Sequence, residues 1–88
     1  MEFFPGQVVY SKCGRDKGRA FIILSFEENY LYLTDGTLRP IERPKKKKVM
    51  HVQKTGFVFS ELGEKIINGE TITNSEIEKA LKNVAANI

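Results

Sequence analysis

One cysteine, one histidine, three prolines and no tryptophan occur among the 88 residues of this chain. With Cys13 alone no intramolecular disulfide can form, so the fold must hold itself together by packing. One His and one Cys also supply no metal-ligand set of recognisable spacing. The longest strongly apolar run, Phe21-Ile22-Ile23-Leu24, is far short of the roughly 18–20 residues that cross a bilayer. Met1-Glu2-Phe3-Phe4-Pro5 has neither the basic leader nor the extended apolar core of a signal peptide. A cytoplasmic protein with no membrane partner is expected. Walker-type and dinucleotide-binding glycine patterns are missing, and so is any internal repeat.

A domain of this size buries only about 60–65% of the surface that its unfolded chain exposes, which leaves little room for an enclosed pocket. A monomer working through its surface is expected, with no cofactor and no small-molecule substrate. No nucleophile motif surrounds Ser11, Cys13 or His51, and catalysis is not expected. Cys13 reads either as a small packing residue or as a redox-sensitive thiol beside Lys12 and Arg15.

Charge is what the chain has in quantity, and it is unevenly spread. Residues 1–54 carry 11 Lys/Arg against 6 Asp/Glu, a net +5, whereas residues 55–88 carry 3 against 5, a net −2. A basic first part followed by a mildly acidic second part points to a polyanionic partner for the first.

The basic part reads as strands. Gln7-Val8-Val9-Tyr10-Ser11 follows the Pro5-Gly6 punctuation, and the apolar stretch 20–26 suits a strand buried on both faces. Glu27-Glu28-Asn29 marks a turn. Tyr30-Leu31-Tyr32-Leu33-Thr34 alternates with period two, placing both Tyr on one face and both Leu on the other. Asp35-Gly36 is a hairpin signal, after which Leu38 and Arg39 begin a return strand that Pro40 interrupts. Val49-Met50-His51-Val52 makes a last strand. Five short strands in about fifty residues imply a strongly bent antiparallel barrel over residues 1–54.

After Lys54 the period becomes helical, giving a C-terminal extension over 55–88 that packs on the barrel. Residues 60–68 form a short helix with Ser60 as N-cap, Leu62 and Ile66 on one face, Gly63 weakening it and Gly69 stopping it. Thr73 and Glu76 have capping-box spacing before a helix whose apolar face carries Ile77, Ala80, Leu81, Val84 and Ile88. Glu78 and Lys82 make an i, i+4 pair on its exposed side. Phe3, Phe4, Phe57 and Phe59 read as packing groups.

The most specific feature is the strand–loop–strand unit 6–26. Gly14 and Gly18 allow tight turns and close approach to a phosphate, while Lys12, Arg15, Lys17 and Arg19 surround them with donors. Asp16 suits bracing the loop, through backbone N–H groups or by orienting Arg15 or Lys17. Gly6-Gln7-Val8-Val9, then Gly14-Arg15-Asp16-Lys17-Gly18-Arg19 and an apolar strand, resembles the KOW motif of large-subunit ribosomal proteins and transcription elongation factors. Downstream, Asp35-Gly36, Arg39, Pro44-Lys45 and His51 look like the ribosomal branch, especially a short bacterial relative of the archaeal and eukaryotic proteins. The tail Thr73-Asn74-Ser75-Glu76-Ile77 to Leu81 is similar to that group more loosely. The resemblance implies an SH3-like β-barrel whose first loop contacts RNA or, in elongation factors, sometimes protein, with Gly18 at the position of the motif's characteristic glycine.

Antiparallel strands place the 12–19 loop and the Asp35-Gly36 turn at one pole, where Arg39 joins the loop cations, and Glu27-Glu28 at the other. Arg43-Pro44-Lys45-Lys46-Lys47-Lys48 packs five positive charges into six residues; as a self-repelling extended block it offers a second, sequence-independent phosphate contact or an idle solvated run. Tyr30 and Tyr32 read either as barrel-covering residues or as a base-stacking pair. The combined expectation is an RNA-binding protein associated with ribosomal RNA or the ribosome. Its site residues are Lys12, Gly14, Arg15, Lys17, Gly18, Arg19, Arg39, Lys45, Lys46, Lys47 and Lys48. The alternative is a protein-interaction module that docks on transcription or translation machinery.

Overall fold

The computed structural model describes residues 3–86; Met1, Glu2 and Ile88, which entered the leader and helix-face readings, lie outside them. Five strands form one antiparallel sheet: β1 (Gln7–Ser11), β2 (Ala20–Glu27), β3 (Tyr30–Thr34), β4 (Lys45–Lys48) and β5 (Val52–Val58), in the order β4-β3-β2-β1-β5. A single 3-10 turn, Val49–His51, links the two edge strands. Helices α1 (Ser60–Ile67) and α2 (Asn74–Ala86) follow. This is the expected mainly-β, SH3-like architecture with a helical C-terminal part. Register shifts in the β1–β5 and β2–β3 ladders let the sheet bend, because an extra residue on one strand increases local twist.

The strands differ from expectation in three places. Leu38 and Arg39 begin no strand, because the backbone of 35–39 is satisfied locally. Asp35 Oδ1 accepts from the N–H groups of Thr37 (2.9 Å) and Arg39 (2.8 Å), and the Asp35 N–H donates to the Arg39 carbonyl. The return strand is instead the lysine run. Second, residues 49–51 turn rather than extend, held by the Val49 N–H on the Asn29 carbonyl and the Lys12 N–H on the His51 carbonyl, both 2.8 Å. Third, β5 runs on to Val58, so the strand region passes Lys54 before the helices begin.

The sheet has two buried faces where it is thickest. Val9, Phe21, Ile23, Leu31, Leu33 and Val52 fill the barrel interior, with Phe3 and Val49 against them. On the opposite face Val8 and Ile22 meet Leu62, Ile77, Ala80 and Val84 of the helices, so barrel and extension share one core. Period-two alternation in β1 and β2 produces this division. Only the first part of β2 is buried on both faces; Ser25, Phe26 and Glu27 emerge beyond the helices, and Phe26 is 56% exposed. Phe59 packs against the helix-facing core as expected, whereas Phe4 and Phe57 are exposed.

Ser60 does not cap α1. The cap position falls on Phe59, whose carbonyl takes the Gly63 N–H at 2.9 Å. Gly63 is there for space, since a Cβ on it would lie 2.5 Å from the Pro5 carbonyl oxygen. Gly69, at φ +72, ends the helix as expected. For α2, Thr73 Oγ1 accepts from the Glu76 N–H at 3.2 Å, while the Glu76 carboxylate turns to Lys65 (3.6 Å) instead of closing a capping box. The Glu78–Lys82 pair forms at 3.2 Å.

Candidate nucleic-acid interface

Successive turns shape the 12–19 loop. The Lys17 N–H donates to the Gly14 carbonyl (3.2 Å) and the Arg19 N–H to the Asp16 carbonyl (2.9 Å), while the Gly18 N–H closes the loop on Ser11 (2.8 Å). Gly14 and Gly18 have φ of +80 and +85, a region costly for residues bearing a Cβ. Two side chains tie the loop's first half: Ser11 Oγ and Lys47 Nζ both donate to the Cys13 carbonyl at 3.0 Å. Ser11 is thereby engaged with backbone. The loop is held by its own main chain, and its long side chains are left to point outward.

The nine cations expected at the site divide into distinct groups. Lys12, Arg15 and Lys17 are exposed, and none is in an ion pair with a described residue. Arg19 and Arg39 are different, because a crossed pair of ion bonds joins the two loops. Arg19 Nη2 reaches Asp35 Oδ2 at 3.2 Å, and Arg39 Nη2 reaches Asp16 Oδ2 at 3.5 Å. Asp16 is thus not oriented toward Arg15 or Lys17; its buried carboxylate anchors the neighbouring loop. The two loops do share a pole, as strand direction requires, and the arginines there serve first as struts.

The lysine run is not a free extended block. As β4 it alternates: Lys47 pairs with Leu31 and turns inward, only 8% exposed, while Lys46 and Lys48 pair with Tyr32 and Tyr30 on the outer face. Lys46 Nζ sits 4.6 Å from the centre of the Tyr30 ring and 5.9 Å from that of Tyr32. Alternation relieves like-charge crowding, since neighbours in sequence leave on opposite faces. Lys47 therefore leaves the expected contact set and becomes a bolt between β4 and the loop. Lys48 ends beside the Glu27-Glu28 turn, so that pole is mixed in charge rather than purely acidic.

Compared with protein-family models and with curated proteins, the chain matches none. The surface has its own chemistry to offer: three unpaired cations on a stiff glycine-turned loop, next to a strand presenting two outward lysines over two tyrosines. Such a surface suits oxyanions spaced along a chain. Among the described residues no group of three or more His, Cys, Asp and Glu is placed to hold a metal ion. No described helix is long and apolar enough to cross a membrane.

Sequence reasoning missed Asp35 and Asn74 as organisers of the second loop. Asn74, at the start of α2, accepts the Ile41 N–H at 2.8 Å and donates to Glu42 at 2.9 Å. That bond, with the residue's own backbone N–H and Arg43, holds the exposed Glu42 carboxyl below its ordinary value of 4.5. Gly36 allows the approach of α2, since a Cβ on it would lie 2.5 Å from the Asn74 carbonyl oxygen. Asp-Gly followed by an arginine carried a readable signal for an Asp-capped turn; the partnership with Asn74 spans 33 residues and had none.

Proposed function

We propose that this protein binds structured RNA through the 12–19 loop, in association with ribosomal RNA or the ribosome. One observation carries the reading: Lys12, Arg15 and Lys17 project unpaired from a backbone that is already rigid, so little ordering entropy is lost when phosphates engage them. Lys46 and Lys48 extend the basic surface along β4, while Lys45, half-buried on the face of Lys47, and Arg19 and Arg39 at the base of the loop add charge around it. The KOW resemblance over residues 6–52 supports RNA as the polyanion and the ribosome as its setting. A-form RNA hides its bases in a deep, narrow major groove, so this loop reads backbone shape and 2′-hydroxyls more than sequence. The role is binding, without a chemical step.

A protein-docking reading rests on a different surface. Phe4 and Phe26, both exposed, border a cavity of about 550 Å³ beside Glu28 and Asn29. Absorbance at 260 and 280 nm before and after a high-salt wash separates the two, since salt-released nucleic acid favours the RNA reading. Titration against a structured RNA at several salt concentrations is the direct test, and flat salt dependence or no binding refutes it. A sucrose-gradient profile then shows which ribosomal particle the protein follows.

A further inference from the structure

Tyr30 borders a second concavity, of about 420 Å³, lined by Asn29, Tyr30, Lys48, Val49 and Met50. Met50 is 69% exposed and belongs to neither core, although a small domain has every reason to bury such a side chain. An aromatic ring, an exposed thioether, an amide and an ammonium thus converge on one recess at the end of β3 and β4. Lys46 lies over the ring from the solvent side, which shows that a cation can reach its face there. Exposed contacts of that kind are weak and exchange easily for a flat ligand.

We infer that this recess takes an unpaired nucleobase stacked on Tyr30, with the adjoining phosphates on Lys46 and Lys48. The inference rests on the RNA-binding reading and specifies which part of the RNA meets β4: a single-stranded nucleotide beside the structured region. Every base offers a π face to an aromatic ring and a polar edge that an Asn amide can pair as both donor and acceptor. The two outward lysines are two residues apart on one strand, about 6.6 Å, roughly the rise of two stacked nucleotides at 3.4 Å each. Glu27 shares the outer face, its carboxylate accepting from the Tyr32 hydroxyl at 3.3 Å. That acid stands on the β2 side of the tyrosines, across β3 from the lysines of β4, and so leaves the β4 edge, with Lys46 and Lys48, for the phosphates. Lys47 joins the recess to the loop, because the strand carrying Lys46 and Lys48 is bonded through it to Cys13.

Two RNA hairpins of equal stem test this. One is blunt, and the other has a two-nucleotide 3′ overhang carrying 2-aminopurine. The overhang hairpin is expected to bind about 5- to 150-fold tighter, the range of stacking one base on an aromatic residue, with quenching of the 2-aminopurine fluorescence. Tyr30→Leu should bring the ratio of the two affinities to one and remove the quenching. Tyr30 is half-buried, so Met50→Ser, at an exposed position, is the companion variant; it should lower both signals without touching the core. Equal wild-type affinity for the two hairpins overturns the inference and leaves RNA binding standing. A preference that survives in both variants also overturns it. If neither hairpin binds, the RNA reading and this inference fail together.

Discussion

Replacing Arg15 and Lys17 together by Ala isolates the contribution of the 12–19 loop. Each phosphate neutralised contributes about −0.7 to −0.9 to the slope of log K against log salt. With Lys12, Arg15, Lys17, Lys46 and Lys48 engaged, the wild-type slope is expected at about −3.5 to −4.5. The double variant should reduce its magnitude by about 1.4–1.8, which at 0.1 M salt amounts to roughly 25- to 60-fold in affinity relative to a 1 M reference. Its stability should change no more than ordinary surface substitutions do, about ±0.5 kcal/mol, because both side chains are exposed and neither is ion-paired with a described acid. Fluorescence anisotropy of a labelled RNA hairpin at four or more salt concentrations measures the slope, and thermal denaturation by circular dichroism measures the stability. An unchanged slope refutes the loop as a phosphate contact. A collapse in melting temperature shows instead that these side chains hold the loop together.

Three further outcomes follow from the packing and the electrostatics. Gly63→Ala should destabilise by about 1–3 kcal/mol, even though Ala favours a helix by about 1 kcal/mol, because its Cβ meets the Pro5 carbonyl at 2.5 Å; a raised melting temperature would contradict that close approach. Lys47→Met, which keeps the stem and deletes the bond to Cys13, should lower stability by about 1 kcal/mol, or about 4–8 °C in Tm, and Lys48→Met should change it by less than about half as much. Equal effects at the two positions would show that β4 does not separate them. Glu42 has a folded-state pKa below its ordinary value, so its contribution is fully present above pH 4.5 and is lost as pH falls through the folded value. The melting-temperature gap between wild type and Glu42→Gln should therefore narrow as pH falls below 4.5, and a gap that widens on acidification reverses the assigned sign.

Local pattern decided a good deal before any tertiary contact was considered. Two valines after Pro-Gly, alternating Tyr and Leu, and an apolar face repeating at helical spacing each state their periodicity within a few residues, so β1, β3 and α2 follow from the sequence. The glycine positions of the 12–19 loop were readable for the same reason, since a positive φ is a property of one residue. Four consecutive lysines carry no hydrophobic alternation, and their strand became visible only when β3 was there to pair with them.

Composition and short-range periodicity are local properties, and they set the basic first part, the acidic second part, the strand-rich start, the helical end and the glycine-turned loop. Which cations remain unpaired depends on contacts that the folded chain alone creates. Asp16 and Asp35 take Arg39 and Arg19 across the gap between two loops, and the pleat of β4 turns Lys47 inward while leaving Lys46 and Lys48 over the tyrosines. Charges close in sequence were parted by the pleat, and charges up to 23 residues apart were paired by the bend of the sheet. A side chain's partner depends on what the fold brings within about 4 Å of it, and no count along the chain contains that distance.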